Sequence, residues 1–266
     1  MYDIPTAPLP IGGVLDNAIK LYRASFRGCW PIALLGTLVS AAAGIYITLY
    51  LRRAGINPTG MAALAAYGRP QVGLFNVLNG LFSLVVLGAV IASQNSVATG
   101  MVQLPVAPAF GVGFARLLPA IPAVILSGLG TVLGLVLLLV PGIWLFGVWF
   151  LWPVALFAEH AGPMRSLGIS YELVRGHWWR SSTTVTVAMI IALVFSMLAG
   201  LVSGLSIALL RGDLVSVMLA TQVVGSIANV FVLPMVPAAL VAIYQDLKLR
   251  RDGADLAARV QSLKTA

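Results

Sequence analysis

Long stretches of this chain contain no charged side chain, and this pattern constrains the fold more than any other feature. Between Arg69 and Glu159 the only charged residue is Arg116, and none lies between Arg180 and Arg211. A chain of 266 residues that is 60% apolar and 9% charged cannot bury its apolar side chains inside a water-soluble domain of this size. The sequence therefore predicts an all-α integral membrane protein.

Six apolar runs have the length of membrane spans, because about 20 helical residues cross a hydrocarbon core of about 30 Å. We predict spans at 30–51, 72–92, 117–140, 143–158, 184–210 and 223–244. Pro141 and Gly142 separate the third span from the fourth, and predict the tight turn of a helical hairpin. The segment 93–116 is too polar for lipid and too apolar for a free loop, so we expect a partly re-entrant or interfacial connection.

Two segments have the periodicity of amphipathic helices that lie in the membrane interface. Residues 14–26 place four apolar side chains on one stripe, namely Leu15, Ile19, Tyr22 and Phe26. Residues 163–174 repeat the pattern with Leu167, Tyr171 and Val174. We therefore predict an N-terminal segment with an interfacial helix (1–28), a six-helix membrane domain (29–244) with a cytoplasmic amphipathic connection (159–182), and a cytoplasmic tail (245–266).

Basic residues are concentrated before the first, third and fifth spans and in the tail, which predicts that both termini are cytoplasmic. Arg52, Arg53, Arg69 and Arg211 lie on the opposite side. The net charge of +8 is then explained by orientation and by anionic lipid headgroups rather than by nucleic acid. The candidate residues for contact with headgroups and interface are Lys20, Arg23, Arg27, Arg165, Arg175, Trp178, Trp179 and Arg180.

Small residues recur at four-residue spacing in the first, third and fifth spans, where they allow helices to approach closely. They are Gly36, Ser40 and Gly44, then Gly130 and Gly134, then Gly200 and Gly204. Such faces serve either homodimerisation or packing within one chain, and we favour packing within the chain. The amides Asn76, Asn79 and Asn229 lie inside spans, where they either line a polar path or form hydrogen bonds between helices.

Acidic and imidazole groups gather at one place only, where Glu159 and His160 precede Glu172 and His177. These four residues lack the two-histidine spacing of a zinc enzyme, and no nucleophile accompanies them in a known pattern. We therefore predict no catalytic residue, no metal site and no cofactor. The spans contain no Asp, Glu, Lys, Arg or His, which argues against ion-coupled transport.

The segment 140–181 contains a Pro-Gly-Ile-Trp sequence at 141–144, the acidic Glu159, and a Ser-x-x-Leu-Val-Arg-Gly-x-x-Trp sequence that begins at Ser170. With the opening Leu-Asp-x-Ala-x-x-Leu-Tyr-Arg at 15–23, it resembles bacterial membrane proteins related to the glycerophosphoryl diester phosphodiesterase membrane-domain family. The resemblance implies a membrane topology rather than hydrolysis, because the acids and histidines of the soluble phosphodiesterase barrel are absent here.

These observations predict a non-enzymatic inner-membrane protein that organises lipids or partner proteins. Its expected partners are membrane lipids with anionic headgroups, and membrane proteins or a second copy of the chain are further candidates. The alternative function is that of a small-solute or lipid transporter, or of a channel subunit.

Overall fold

The computed structural model describes residues 2–56, 68–210 and 214–265, with their side chains except at 199, 202–219 and 254–265. All regular secondary structure in these ranges is helical. The helices are α1 (Ile11–Arg53), α2 (Pro70–Ala98), α3 (Val106–Ala115), α4 (Leu117–Leu137), α5 (Leu139–Trp149), α6 (Trp152–Ala158), α7 (Pro163–Val174), α8 (Trp178–Leu210), α9 (Leu214–Val232) and α10 (Met235–Thr265).

Six helical segments among the described residues are long and apolar enough to cross a membrane. They lie in α1, α2, α4, the joined α5 and α6, α8, and the joined α9 and α10. The prediction of an all-α, multi-pass membrane protein with six such segments is thereby confirmed.

The amphipathic segment at the N-terminus and the first span form one continuous helix, α1, of 43 residues. Pro31 lies inside α1, and the helix continues through it because the adjacent Cys29, Ile32 and Ala33 are fully buried against neighbouring helices. The predicted domain boundary at 28–29 therefore lies within a helix, and the boundary at 244–245 lies within α10.

The hairpin of α4 and α5 turns at Leu138, which is the one extended residue between the two helices. Pro141 and Gly142 lie in the first turn of α5, where a proline is tolerated because the backbone N–H groups of that turn have no partner within the helix. This corrects the predicted position of the turn. Gly142 instead lets the two helices approach, since a Cβ there would overlap the backbone nitrogen of Leu135.

The fourth span is interrupted between α5 and α6, directly before Pro153. Ser170 of α7 bonds the backbone groups that this break frees, because its hydroxyl donates to the carbonyl of Val148 at 2.7 Å and accepts from the N–H of Leu151 at 3.2 Å. Unpaired backbone groups are costly inside a membrane protein, so a break needs such a partner.

At the break between α9 and α10, near Pro234, side chains of other helices also bond backbone carbonyls. The Tyr22 hydroxyl donates to the carbonyl of Phe231 at 3.0 Å, and the buried Gln94 amide donates to the carbonyl of Pro234 at 2.7 Å. Side chains of α1 and α2 therefore hold both sides of this break.

The segment 93–116 consists of the last turns of α2, a loop and the short helix α3. The Gln103 amide of the loop donates to the carbonyl of Ser25 at 2.6 Å and to the Ser93 hydroxyl at 3.1 Å. Gly28 makes room for it, since a Cβ at that position would overlap the Gln103 side chain. The loop is thereby packed against α1, and α3 is too short to cross a bilayer.

Burial divides the molecule into two halves. The packed half holds the largest group of buried apolar side chains, which includes Leu21, Ile91, Phe157, Val174 and Tyr244. The lipid-facing half carries large exposed apolar side chains on several helices, among them Leu38, Leu78, Leu133, Leu193 and Ile227. Exposed apolar side chains need no protein partner in a bilayer, because lipid tails are as apolar as leucine.

Candidate functional site

A crevice runs between α1 and α8, and α9 with the first turns of α10 forms its floor. Helix α9 packs closely against both α1 and α8, whereas α1 and α8 have little contact with each other. Two cavities follow each other along this α1–α8 crevice, and Val232 lines both of them. We call the first the apolar groove and the second the polar pocket.

The apolar groove has a volume of about 290 Å³ and lies between the first part of α1, α8 and the α9–α10 break. Leu15, Ile19 and Tyr22 line it, which are three of the four residues in the predicted apolar stripe. The fourth, Phe26, stacks on Phe231 with ring centroids 5.6 Å apart at the end of the groove. The predicted stripe therefore faces this groove, while the buried side of α1 is a neighbouring stripe of small and apolar residues.

Basic side chains border the apolar groove on its α1 side. Arg23 is the one charged residue that lines the groove, and Arg27 follows one turn later on the same exposed face. Neither arginine forms an ion pair or a side-chain hydrogen bond with another described residue. Their guanidinium groups are thus available to an anion beside the groove.

Lys20 differs from the two arginines because it forms an ion pair with Asp16 at 2.7 Å. The hydrogen bond and the negative charge of Asp16 raise the pKa of Lys20. Both side chains are largely exposed, so the pair adds little to stability, but it does neutralise the lysine locally.

The polar pocket has a volume of about 400 Å³ and lies further along the crevice. The hydroxyl groups in its lining are bonded within the protein, as when Thr37 donates to the carbonyl of Leu34 and Ser40 to the Asn79 amide oxygen. The amides of Gln222 and Asn229 also line the pocket, and no side-chain hydrogen bond joins either of them to another described residue. Two amides of α9 thus line this cavity without a hydrogen-bond partner among the described residues.

The three amides that the sequence singles out are separated in the structure. Asn229 lines the polar pocket, Asn79 bonds Ser40 at 3.1 Å and joins α2 to α1, and Asn76 is exposed on α2. They do not form one path.

Arg180 bonds inside the protein rather than facing outward. Its guanidinium group donates to the carboxylate of Asp246 at 3.3 Å and to the carbonyl of Leu9. Asp246 is buried, and it also pairs with Arg250 at 3.0 Å and accepts the N–H of Leu9 at 2.8 Å. The Asp246 cluster thereby joins the N-terminal segment, the start of α8 and the middle of α10.

The other predicted interface residues lie around α7 and the start of α8. Arg165 is exposed, and the Arg175 guanidinium lies 5.9 Å from the ring centre of Tyr171. Trp179 is 80% exposed, whereas Trp178 is half-buried and donates to the carbonyl of Trp144 at 3.3 Å. Trp179 and the two arginines are thus exposed on the surface, whereas Trp178 is not.

The two acids of the predicted acid and imidazole group, Glu159 and Glu172, line a charged cavity of about 870 Å³ between α7 and α10, which Arg165 and Asp252 also line. Glu159 pairs with Lys248 at 2.6 Å, and Glu172 pairs with Arg251 at 3.2 Å. Burial alone would raise the pKa of Glu159, but the hydrogen bonds of Lys248 and Tyr244 lower it below its usual value. A low pKa keeps this carboxylate ionised, which suits an ion pair better than a general acid.

Within the described residues, no group of three His, Cys, Asp or Glu side chains is placed to hold a metal ion. His160 lies outside the charged cavity in a small neighbouring one, with a positive φ of 56°. His177 follows α7 on the exposed surface. The acid and imidazole group predicted from the sequence is therefore dispersed.

Most of the small residues that the sequence singles out contact other helices of the same chain. A Cβ at Gly36 would press on Val86, one at Gly44 on Gln222, one at Gly130 on Trp149, and one at Gly134 on Gly142. Gly200 is different, because a Cβ there meets nothing and the residue lines the polar pocket. Gly204 lies in α8, but its surroundings fall outside the described residues.

Sequence reasoning missed the Asp246 cluster, the Gln103 bonds and the α1–α8 crevice. Asp246 follows an apolar run as any charge at the end of a span would, so nothing in the sequence marks it as buried. The crevice depends on the relative positions of three helices that are far apart in the sequence, and a local sequence pattern does not predict these positions.

Comparisons with protein-family models, curated proteins and solved structures find no match for this chain. The resemblance of segments 15–23 and 140–181 to the phosphodiesterase membrane-domain family therefore stays a prediction.

Proposed function

We propose that this protein is a non-enzymatic protein of the bacterial cytoplasmic membrane that binds a phospholipid in the α1–α8 crevice. The observation that carries the proposal is the apolar groove with the unpaired Arg23 at its border and Arg27 one turn away. This combination matches an amphiphile with an acyl chain beside an anionic phosphate.

The two parts of the site contribute differently to lipid binding. The groove gains little hydrophobic free energy from an acyl chain, because the chain leaves an equally apolar bilayer. Selectivity for anionic lipids therefore comes from the positive charge of the arginines, because a zwitterionic headgroup such as that of phosphatidylcholine carries no net negative charge. Each planar guanidinium group can also bind two phosphate oxygens at once. Under the positive-inside rule both arginines lie at the cytoplasmic leaflet, so the ligand is an anionic lipid of that leaflet.

The remaining surface supports a role in organising the membrane rather than in chemistry. Glu159 and Glu172 are engaged in ion pairs, so the acid group predicted from the sequence has a structural explanation. A relation to the phosphodiesterase membrane-domain family, with both termini in the cytoplasm, is part of the same proposal.

Native mass spectrometry of the protein purified in mild detergent tests the proposal. We expect phosphatidylglycerol to be retained in preference to phosphatidylcholine. Arg23→Gln and Arg27→Gln should each weaken retention about fivefold, because a basic residue at the membrane surface contributes about 1 kcal/mol.

Lys20→Gln is the matched control, since Lys20 lies on the same face of α1 but is already paired with Asp16. Its effect should be small. Equal retention of both lipids, or an equal loss in the Lys20 variant, would show that the groove is not a specific phospholipid site.

A further inference from the structure

We propose that the polar pocket lets phospholipid headgroups cross the bilayer along the α1–α8 crevice, so that the protein equilibrates phospholipids between the leaflets without an energy source. This inference rests on the proposed lipid binding and extends it from a site to a path.

The polar pocket lies near the middle of the first predicted span, at a depth where a polar headgroup is unfavourable in hydrocarbon. Its α1 residues Thr37 and Ser40 fall at the middle of the first predicted span, 30–51. Arg23 of the apolar groove precedes this span on α1, and Gln222 of the polar pocket packs beside Gly44, which lies inside the span. The two cavities together therefore extend from the start of the first span past its middle.

The lining of the pocket suits transient contact with a headgroup. The amides of Asn229 and Gln222 have no hydrogen-bond partner among the described residues, and an unbonded amide in hydrocarbon is costly. A headgroup or its water can supply the missing bonds. No charged side chain lines the pocket, so a phosphate passing through meets no strong counter-charge that would hold it.

Two aromatic rings lie close to the junction of the two cavities, where Phe26 of α1 stacks on Phe231 of α9. Phe231 lines the apolar groove, and the adjacent Val232 lines both cavities. A headgroup that moves from the groove to the pocket passes beside this pair of rings. We therefore expect a smaller side chain at position 231 to ease this step.

A transmembrane helix of a second copy is the competing occupant of the pocket. Gly200 and Gly225 in the lining would allow another helix to approach, and Asn229 would then bond across the interface. A lipid is favoured because the pocket continues into the apolar groove, where an acyl chain and not a helix fits.

The test reconstitutes the full chain into vesicles of phosphatidylcholine and phosphatidylglycerol with a trace of headgroup-labelled fluorescent lipid. An impermeant reductant added outside bleaches about half of the label in protein-free vesicles, and it should bleach nearly all of it when the protein is present. The Gln222→Leu, Asn229→Leu double variant should equilibrate lipid at least about tenfold more slowly, because it removes the hydrogen bonds that two amides offer to the headgroup in the barrier.

Asn76→Leu is the matched control, because Asn76 is an exposed amide of α2 outside the crevice. It should keep the rate of the unchanged protein, and Phe231→Ala should raise that rate. Bleaching that stops at half, or equal slowing by the Asn76 and double variants, would overturn the proposal.

Two further measurements separate this inference from the proposed function and from the competing occupant. Lipid retention in native mass spectrometry without any lipid equilibration would overturn the path and leave lipid binding intact. Efficient disulfide formation between copies of an Asn229→Cys, Cys29→Ser variant in vesicles would also overturn it, because a second copy would then fill the pocket.

Discussion

At the scale of single residues, Asp246 joins three separate parts of the chain, although the sequence does not single it out. Its carboxylate is buried and bonds Arg180, Arg250 and the backbone of Leu9. A buried charge is tolerated when it is paired and fully hydrogen-bonded, and removal of one partner leaves the others uncompensated. The Asp246 cluster thus fastens the N-terminal segment to α8 and α10.

We predict that Asp246→Ala lowers the free energy of unfolding by about 3 kcal/mol or more, because two arginines lose their carboxylate partner and the N–H of Leu9 loses its acceptor. The measurement is thermal unfolding in detergent, followed by tryptophan fluorescence. Asp16→Ala is the control, since its exposed pair with Lys20 is worth less than about 1 kcal/mol. Similar shifts for the two variants would contradict the role given to the cluster.

At the scale of elements, the sequence shows where the prolines lie, but it does not show which of them interrupt a helix. Pro141 lies in the first turn of α5 instead of forming a turn between helices, and α1 continues through Pro31. The helices are interrupted just before Pro153 and at Pro234. At both breaks, side chains of other helices bond backbone groups beside the interruption. Ser170 does so for the fourth span, and Tyr22 and Gln94 do so for the sixth.

Ser170→Ala should therefore destabilise the protein by about 1–3 kcal/mol, because it leaves the carbonyl of Val148 and the N–H of Leu151 buried without a partner. Thermal unfolding again provides the measurement. Ser166→Ala on the same helix is the control, since the buried Ser166 hydroxyl bonds only a carbonyl of its own helix, that of Pro163. If Ser166→Ala is the more damaging change, Ser170 does not hold the break.

At the scale of the whole molecule, the packed and lipid-facing halves meet along α1. The first part of α1 is buried against α10 and α2, and the later part carries exposed apolar residues such as Leu38. The amphipathic N-terminal segment and the span that follows it form one helix, and the position of this segment in the membrane interface stays a prediction. The arrangement also places Arg23 and Arg27 near the boundary of the two halves.

The predicted orientation has a direct test in reporter fusions. A phosphatase reporter joined after Gly55 should be active only outside the cytoplasm, and a fluorescent reporter at the C-terminus should fold inside it, because most basic residues flank the cytoplasmic ends of the spans. A cytoplasmic reading after Gly55 would reverse the topology and move Arg23 to the outer leaflet. The leaflet assigned to the lipid site would then change with it.

The sequence by itself determined that this protein lies in a membrane and that its fold is all-α. Charge-free apolar runs of sufficient length leave only membrane-spanning helices, because hydrocarbon provides no partner for an exposed backbone. Periodicity also identified the stripe of Leu15, Ile19 and Tyr22. Only the tertiary structure decided that this stripe lines a crevice, that Asp246 is buried, and that Asn229 and Asn79 lie in different surroundings. Each of these depends on residues far apart in the chain, whose contacts are set by how whole helices pack.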